Sequence, residues 1–346
     1  IMKKWKSILA AAAALVCAGA LFAGCGDGSG GGVMGSKGSA DNGPAAPKEA
    51  AAHFKLGDKD VPLYEYTGAE LPKFISGTTL AVTKDAIYGI GYGADKKAHL
   101  QKFALKDGAI TGVEDLGTAE DMPVSSDGTN IYYILDGKGT VGCYDGKAAT
   151  SFTVPNSSDV RRVYAIYGGK DAYISRSFAS SDILFGAISK GGVKDPKIAL
   201  SEKVYKELGK DSKSPDYETN AALVAADADG FYITTLATHG GKDNWTEPLH
   251  MHAPDGKLVR TFEVNTDIPA DAQKRKVAER QSIATKDYVV FFANGFLRVF
   301  SKKDGKYVGD IELQLNGKSL SPGNVTTDDA NRLYFTAFEH IYRIDL

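Results

Sequence analysis

Three histidines come closest to forming a chemical cluster. His250 and His252 are two residues apart, so on a strand their side chains share a face, and His239 lies a little upstream. A zinc site needs three or four donors that converge. No cysteine or clustered carboxylate completes this set, so no metal is expected. Asp227-Ala228-Asp229-Gly230 opens like a calcium loop but lacks the later Asp or Asn and the distal Glu, and reads as a turn. Ser126-Asp127-Gly128-Thr129 reads as a turn as well. The chain has no Gly-x-Ser-x-Gly, His-Glu-x-x-His, phosphate loop or Cys-x-x-Cys-His stretch. No cofactor is therefore expected and no catalytic residue is assigned, although a site of scattered carboxylates would leave no linear trace.

Aromatic and charged residues instead gather in three insertions. Residues 203–220 carry Tyr205, Asp216, Tyr217 and Glu218; residues 239–248 carry His239, Trp245 and Glu247; residues 265–276 carry Lys274 and Arg275. Tyr, Trp and Arg are the types in which interfaces concentrate their energy. The candidate binding residues are Tyr205, Tyr217, Glu218, His239, Trp245, Glu247 and Arg275. The run Lys274-Arg275-Lys276, set between Asp271 and Glu279, reads as a solvated helical face rather than an anion site.

The elements that must hold these insertions follow from a repeat. Residues 294–311 read as a strand, a Lys303-Asp304-Gly305 turn and a second strand. Weaker copies of the strand and turn lie at 103–108, 141–146, 187–192 and 252–256, and the chain ends at 341–346 on the same strand. Upstream of each copy is an aromatic-apolar run containing Tyr88, Tyr132, Tyr173, Tyr232, Tyr288 or Tyr334. These tyrosines are spaced 44, 41, 59, 56 and 46 residues apart. Several short strands per repeat at such a period predict propeller blades. Tyr288-Val289-Val290-Phe291-Phe292 does not alternate apolar with polar, as a strand facing water on one side would.

The expected fold is all-β, a six-bladed β-propeller over residues 53–346. Its approximate blades are 77–117, 122–155, 160–200, 220–264, 279–314 and 321–346. The last has room for only three strands, so the run Val61-Pro62-Leu63-Tyr64-Glu65-Tyr66 is expected to complete it and close the ring. Pro62 restricts that run to an edge or a strand start. The three insertions then fall on the face formed by the B–C loops and D–A crossings, around the fourth blade.

The repeat, most clearly Phe296-Leu297-Arg298-Val299-Phe300-Ser301-Lys302-Lys303-Asp304-Gly305-Lys306-Tyr307, resembles the broad group of six-bladed propellers typified by NHL, YWTD and TolB-like repeats. The resemblance covers 77–346 and implies a fold and a bias toward binding. It transfers no reaction or residue role, and a regular Tyr-Trp-Thr-Asp motif is missing.

Residues 1–25 read as an export leader, with Lys3, Lys4 and Lys6 ahead of an apolar, Ala-rich run. Leu21-Phe22-Ala23-Gly24-Cys25 resembles the bacterial lipobox, with Phe22 where Leu is commonest; the resemblance implies lipidation of Cys25. Residues 26–52, rich in Gly, Ser, Ala and Pro, read as a flexible tether of roughly 30 Å root-mean-square span. Cys17 leaves with the leader. Cys143 then remains as the one unmodified thiol of the mature domain, and its place in a strand predicts burial.

Without the leader the chain has 38 basic against 43 acidic side chains, a formal charge of −5. That argues against nucleic acid as a partner. The expectation is a bacterial lipoprotein of the cell envelope, on the periplasmic side or the cell surface. Cys25 would anchor it to the membrane, and the long-loop face would bind a protein or glycan without catalysis. The alternative is a lactonase-like or lyase-like propeller enzyme acting on a small molecule or glycan at the axis.

Overall fold

The computed structural model describes residues 43–346 except 137, 156–159, 176–181, 205–219, 237–247 and 279–280. Two strands open it, β1 (Ala52–Leu56) and β2 (Lys59–Tyr66). The first blade is β3 (Leu80–Thr83), β4 (Ala86–Tyr92), β5 (Ala98–Lys106) and β6 (Ala109–Thr118). The second is β7 (Ser125–Ser126), β8 (Ile131–Ile134), β9 (Thr140–Tyr144) and β10 (Ala149–Thr153). The third is β11 (Arg162–Ala165), β12 (Asp171–Ser175), β13 (Ile183–Ser189) and β14 (Gly192–Leu200). The fourth is β15 (Asn220–Asp227), β16 (Gly230–Leu236), β17 (Leu249–His252) and β18 (Leu258–Phe262). The fifth is β19 (Ser282–Ala284), β20 (Tyr288–Ala293), β21 (Phe296–Ser301) and β22 (Tyr307–Glu312). A hairpin, β23 (Gln314–Leu315) and β24 (Lys318–Ser319), precedes the last three strands, β25 (Gly323–Thr327), β26 (Arg332–Ala337) and β27 (His340–Asp345).

Five blades are four-stranded antiparallel sheets, and the sixth has five strands in the order β1-β2-β27-β26-β25. Strand β2 lies against the chain's last strand, with Leu63 opposite Ile344 and Tyr64 opposite Arg343. Pro62 is not at an edge, because β1 covers the other side of β2, from Ala52 opposite Leu63 to Leu56 opposite Lys59. The Leu63 carbonyl accepts from the Ala51 N–H on the β1 side. Pro62 therefore turns its missing N–H toward β27, one residue past the last pair there.

Six clusters of buried residues lie between successive blades. Neighbouring residues on one strand feed opposite clusters. Tyr132 packs with Val163 and Ala172 of the third blade. Tyr133, the next residue, packs with Tyr88 and Ile90 of the first. In the same way Val290 packs toward the sixth blade, while Val289 and Phe291 pack toward the fourth. This is why the B strands read as unbroken apolar runs: both faces are covered. Packing is close enough that any side chain at Gly142 would collide with the Tyr133 ring directly opposite.

The recurrent tyrosine has a second task in three blades. The hydroxyls of Tyr132, Tyr232 and Tyr334 donate to Asp127, Asp227 and Asp328 at 2.9, 3.1 and 2.8 Å. Each aspartate belongs to the A–B turn of its blade, where it also accepts backbone N–H bonds: Asp127 from Thr129 and Asn130, Asp227 from Asp229 and Gly230, Asp328 from Ala330. The phrase thus clamps its own turn.

The packed chain begins earlier than composition indicates. Gly43 and Pro44 are buried, the Pro44 carbonyl accepts from Arg343 Nη1 at 2.8 Å, and the Ala45 carbonyl accepts from the Tyr66 hydroxyl at 3.1 Å. Residues 43–47 cross the turn face from Asp328 and Arg332 to the Asp107-Gly108 turn of the first blade.

Candidate ligand-binding cavity at the propeller axis

The inner strands of the second to sixth blades, with residues 76–79 just before β3, line a cavity of about 810 Å³. Small residues, among them Ala165, Ala222, Ala226, Ser125 and Gly323, make up much of its lining. Its two ends differ. At the loop end, where the inner strands begin, the lining is Thr78, Thr79, Arg162, Gln281 and Asn324. At the turn end it is Asp227, Asp229, Asp328 and Asp329 with Lys286 and Lys302.

Hydrogen bonds between blades hold both ends. At the loop end Asn324 Nδ2 donates to the Ile75 carbonyl (2.7 Å) and to Thr78 Oγ1 (2.6 Å), joining the sixth blade to the first. Thr79 Oγ1 donates to the Val124 carbonyl at 2.5 Å, joining the first to the second. Arg162 Nη1 donates to the Tyr164 hydroxyl at 2.9 Å, which donates in turn to the Leu223 carbonyl at 2.9 Å, joining the third to the fourth.

At the turn end Lys302 Nζ bonds Asp227 Oδ2 (3.0 Å), Asp229 Oδ2 (2.6 Å) and the Thr285 carbonyl (3.1 Å). Burial would lower the pKa of this lysine, but the two aspartates more than offset it, and the net shift is upward. Asp328 pairs with Arg332 at 2.6 Å. Burial raises its pKa, against the opposing pull of Arg332 and Tyr334. Asp329 lies 3.9 Å from Arg332. All four carboxylates of the cavity are thus ion-paired.

Tyr167, in the A–B turn of the third blade, reaches across this end. Its ring packs against the cluster of Tyr66, Leu80, Ile87 and Tyr334 between the sixth and first blades. Asp329 of the sixth blade likewise approaches Gly168 of the third. Contact across the axis narrows the turn end.

Of the residues read as candidate binders, Tyr205, Tyr217, Glu218, His239, Trp245 and Glu247 lie outside the described residues, as does Cys25. Arg275 is described and lies away from the cavity. It pairs with Asp310 at 2.9 Å and with Glu312, and stacks on Phe296 with its guanidinium carbon 4.3 Å from the ring centroid. Residues 265–276 are not a free loop. A 3-10 turn, Ala272–Lys274, is pinned from below by Arg298, which donates to the carbonyls of Val264, Ala272 and Arg275. Asn265 closes the same segment through its bonds to Val277 N and O. Sequence reading missed this role, though one arginine inside the apolar strand Phe296–Ser301 was a visible signal.

His250 and His252 do share a strand face, and both are buried. His250 Nδ1 lies 3.1 Å from Thr261 Oγ1. His252 Nδ1 donates to the Gly256 carbonyl at 2.9 Å, and its ring stacks on Phe231. Among the described residues no group of three or more His, Cys, Asp or Glu converges as a metal site would require. Cys143 is buried, and burial pushes its thiol pKa up to about 11.

The chain is a six-bladed β-propeller, and its fold is that of the broad propeller group its repeat resembles. No protein-family model matches it, and no curated protein is significantly similar in sequence. Solved structures are similar in fold. A protein of unknown function from Bacteroides thetaiotaomicron VPI-5482 aligns with a TM-score of 0.51 at 13% identity, over 88% of this chain and 75% of its own. A gluconolactonase from Xanthomonas campestris aligns at TM-score 0.49 and 12% identity, over 88% and 98%. BamB from Moraxella catarrhalis aligns at 0.42 and 11%, over 85% and 94%. At these identities the likeness is one of fold alone. Among the described residues no helix is long and apolar enough to cross a membrane.

Proposed function

We propose that this propeller is a non-catalytic binding protein of the bacterial envelope, anchored through lipid on Cys25. It takes a protein or glycan element at the loop end of its axial cavity. The observation that carries this reading is the asymmetry of the cavity. The loop end is lined by neutral hydroxyl and amide groups and by Arg162, held in place by bonds between blades. The turn end has its carboxylates engaged in ion pairs and Tyr167 across it. Carboxylates already committed to lysine and arginine are poorly placed for general acid–base work. A rigid, preformed mouth reduces the ordering cost of association. The leader and tether read from the sequence suit a disc that reorients to meet a large partner.

The test joins two changes. One exchanges residues 203–220 and 239–248 for short Gly-Ser turns. The other places a bulky group in the mouth through Ala222→Trp. Both should leave the melting transition intact and abolish co-purification of the partner from envelope fractions. Retention of every partner by both variants overturns the reading. So does turnover of a small substrate by a wild-type chain that retains no partner, which would establish the axial enzyme instead.

A further inference from the structure

On the turn face a second cavity of about 810 Å³ lies over the A–B turns of the first three blades. Lys84, Lys170 and Lys194 line it. Each comes from a different element: the β3–β4 turn, the β11–β12 turn and strand β14. All three are exposed, and none has a carboxylate partner among the described residues. The contrast with nearby lysines is direct, since Lys190 is paired with Asp145 and Lys302 with Asp227.

One carboxylate, Asp127, lines the groove. Its oxygens are occupied by four donors: the backbone N–H groups of Thr129 and Asn130, the Asn130 amide and the Tyr132 hydroxyl. It is therefore not available to pair with the lysines. Tyr167 and the buried Ile188 give the groove an apolar floor.

We propose that this groove is a site for a phosphate-bearing organic anion, on the face opposite the loop end of the axial cavity. Three lysines without a carboxylate partner among the described residues line one groove, and the positive potential they set up there suits a phosphate. The apolar floor suits the carbon skeleton of a phosphoester better than a bare ion. The chain enters the propeller on this same face, at Gly43 beside Asp328 and Arg332. A lipid headgroup and a soluble phosphoester both present this chemistry, and the experiment separates them.

The full chain carrying Cys25→Ser, so that no acyl group tethers it, is titrated with glycerol 3-phosphate by calorimetry. The same titration is run on this chain with Lys84→Gln, Lys170→Gln and Lys194→Gln added. Saturable binding is expected, weakened about fivefold for each lysine removed, with an unchanged melting temperature. Displacement of the bound phosphoester by phosphatidylglycerol vesicles but not by phosphatidylcholine vesicles assigns the site to a headgroup. Displacement by neither assigns it to a soluble phosphoester. No saturable binding, equal affinity in the triple variant, or equal displacement by acetate overturns the proposal.

Discussion

Arg298 grips Asp310 with two parallel hydrogen bonds, Nε to Oδ1 and Nη2 to Oδ2, each 2.9 Å long. The arginine is wholly buried and the aspartate side chain nearly so. The arginine also donates to the carbonyls of Val264, Ala272 and Arg275 and to Asn265 Oδ1, so one side chain ties the fifth blade to the crossing that enters it. Removing Arg298 leaves the nearly buried Asp310 with only the partly exposed Arg275 as its counter-ion, and strips three backbone carbonyls of their donor. Arg298→Met should cost about 3–5 kcal/mol in urea unfolding. Adding Asp310→Leu should recover only part of that loss, because three carbonyls still lack their donor. A loss within experimental error for Arg298→Met would mean that the crossing is held by other contacts.

Tyrosines of the repeat should divide by their hydroxyl partners. Tyr232 donates to Asp227, which also holds Lys302. Tyr232→Phe should cost about 1.5–3 kcal/mol, the range for a bond to a charged group. Tyr288 is half-buried and makes no such bond. Tyr288→Phe should stay within about 0.5 kcal/mol. Equal costs at the two positions would show that ring packing, not the turn clamp, explains the repeat.

Stability should fall on mild acidification through the buried histidine pair. Burial, and then the neighbouring His252, push the His250 pKa down to about 4. The unfolded chain, near 6.5, binds the proton that the folded chain refuses. Stability therefore rises with pH across this window and is lost as pH falls from 6.5 toward 4. The loss from His250 should be about 2 kcal/mol between pH 7.5 and pH 5, read from urea midpoints, and His250→Gln should flatten it. An identical pH slope in that variant would assign the acid sensitivity elsewhere.

Ring closure should depend on the N-terminal strands. Deleting residues 43–66 removes β1, β2 and the Pro44 carbonyl that Arg343 holds. The free edge of β27 should then cause aggregation or a broad, non-cooperative melt. A soluble deletion variant with a sharp transition would show that three strands suffice for the last blade.

Anchoring is tested by labelling. Radiolabelled fatty acid should enter the wild-type chain in a bacterial host and be absent from Cys25→Ser. Equal incorporation in both would remove the anchor from the proposal.

Much of the architecture was legible because a blade writes itself locally. Each Asp-Gly turn needs residues that tolerate positive φ, as Asp107 and Gly108 do, and each B strand needs apolar residues on both faces. Those requirements are met within a few residues and recur at blade spacing, so strand order and blade limits could be read from residue types alone. The expectation for Val61–Tyr66 also came from counting, since residues 321–346 hold only three strands. What tertiary structure decided is what depends on residues distant in sequence. Tyr167 of the third blade packs against the buried cluster between the sixth and first blades. Arg343 takes the carbonyl of Pro44, 299 residues away. Lys84, Lys170 and Lys194 come to share one groove. None of these pairings has a period or a motif. They arise when the ring closes and fixes which turns face one another, and a linear pattern carries no record of that geometry.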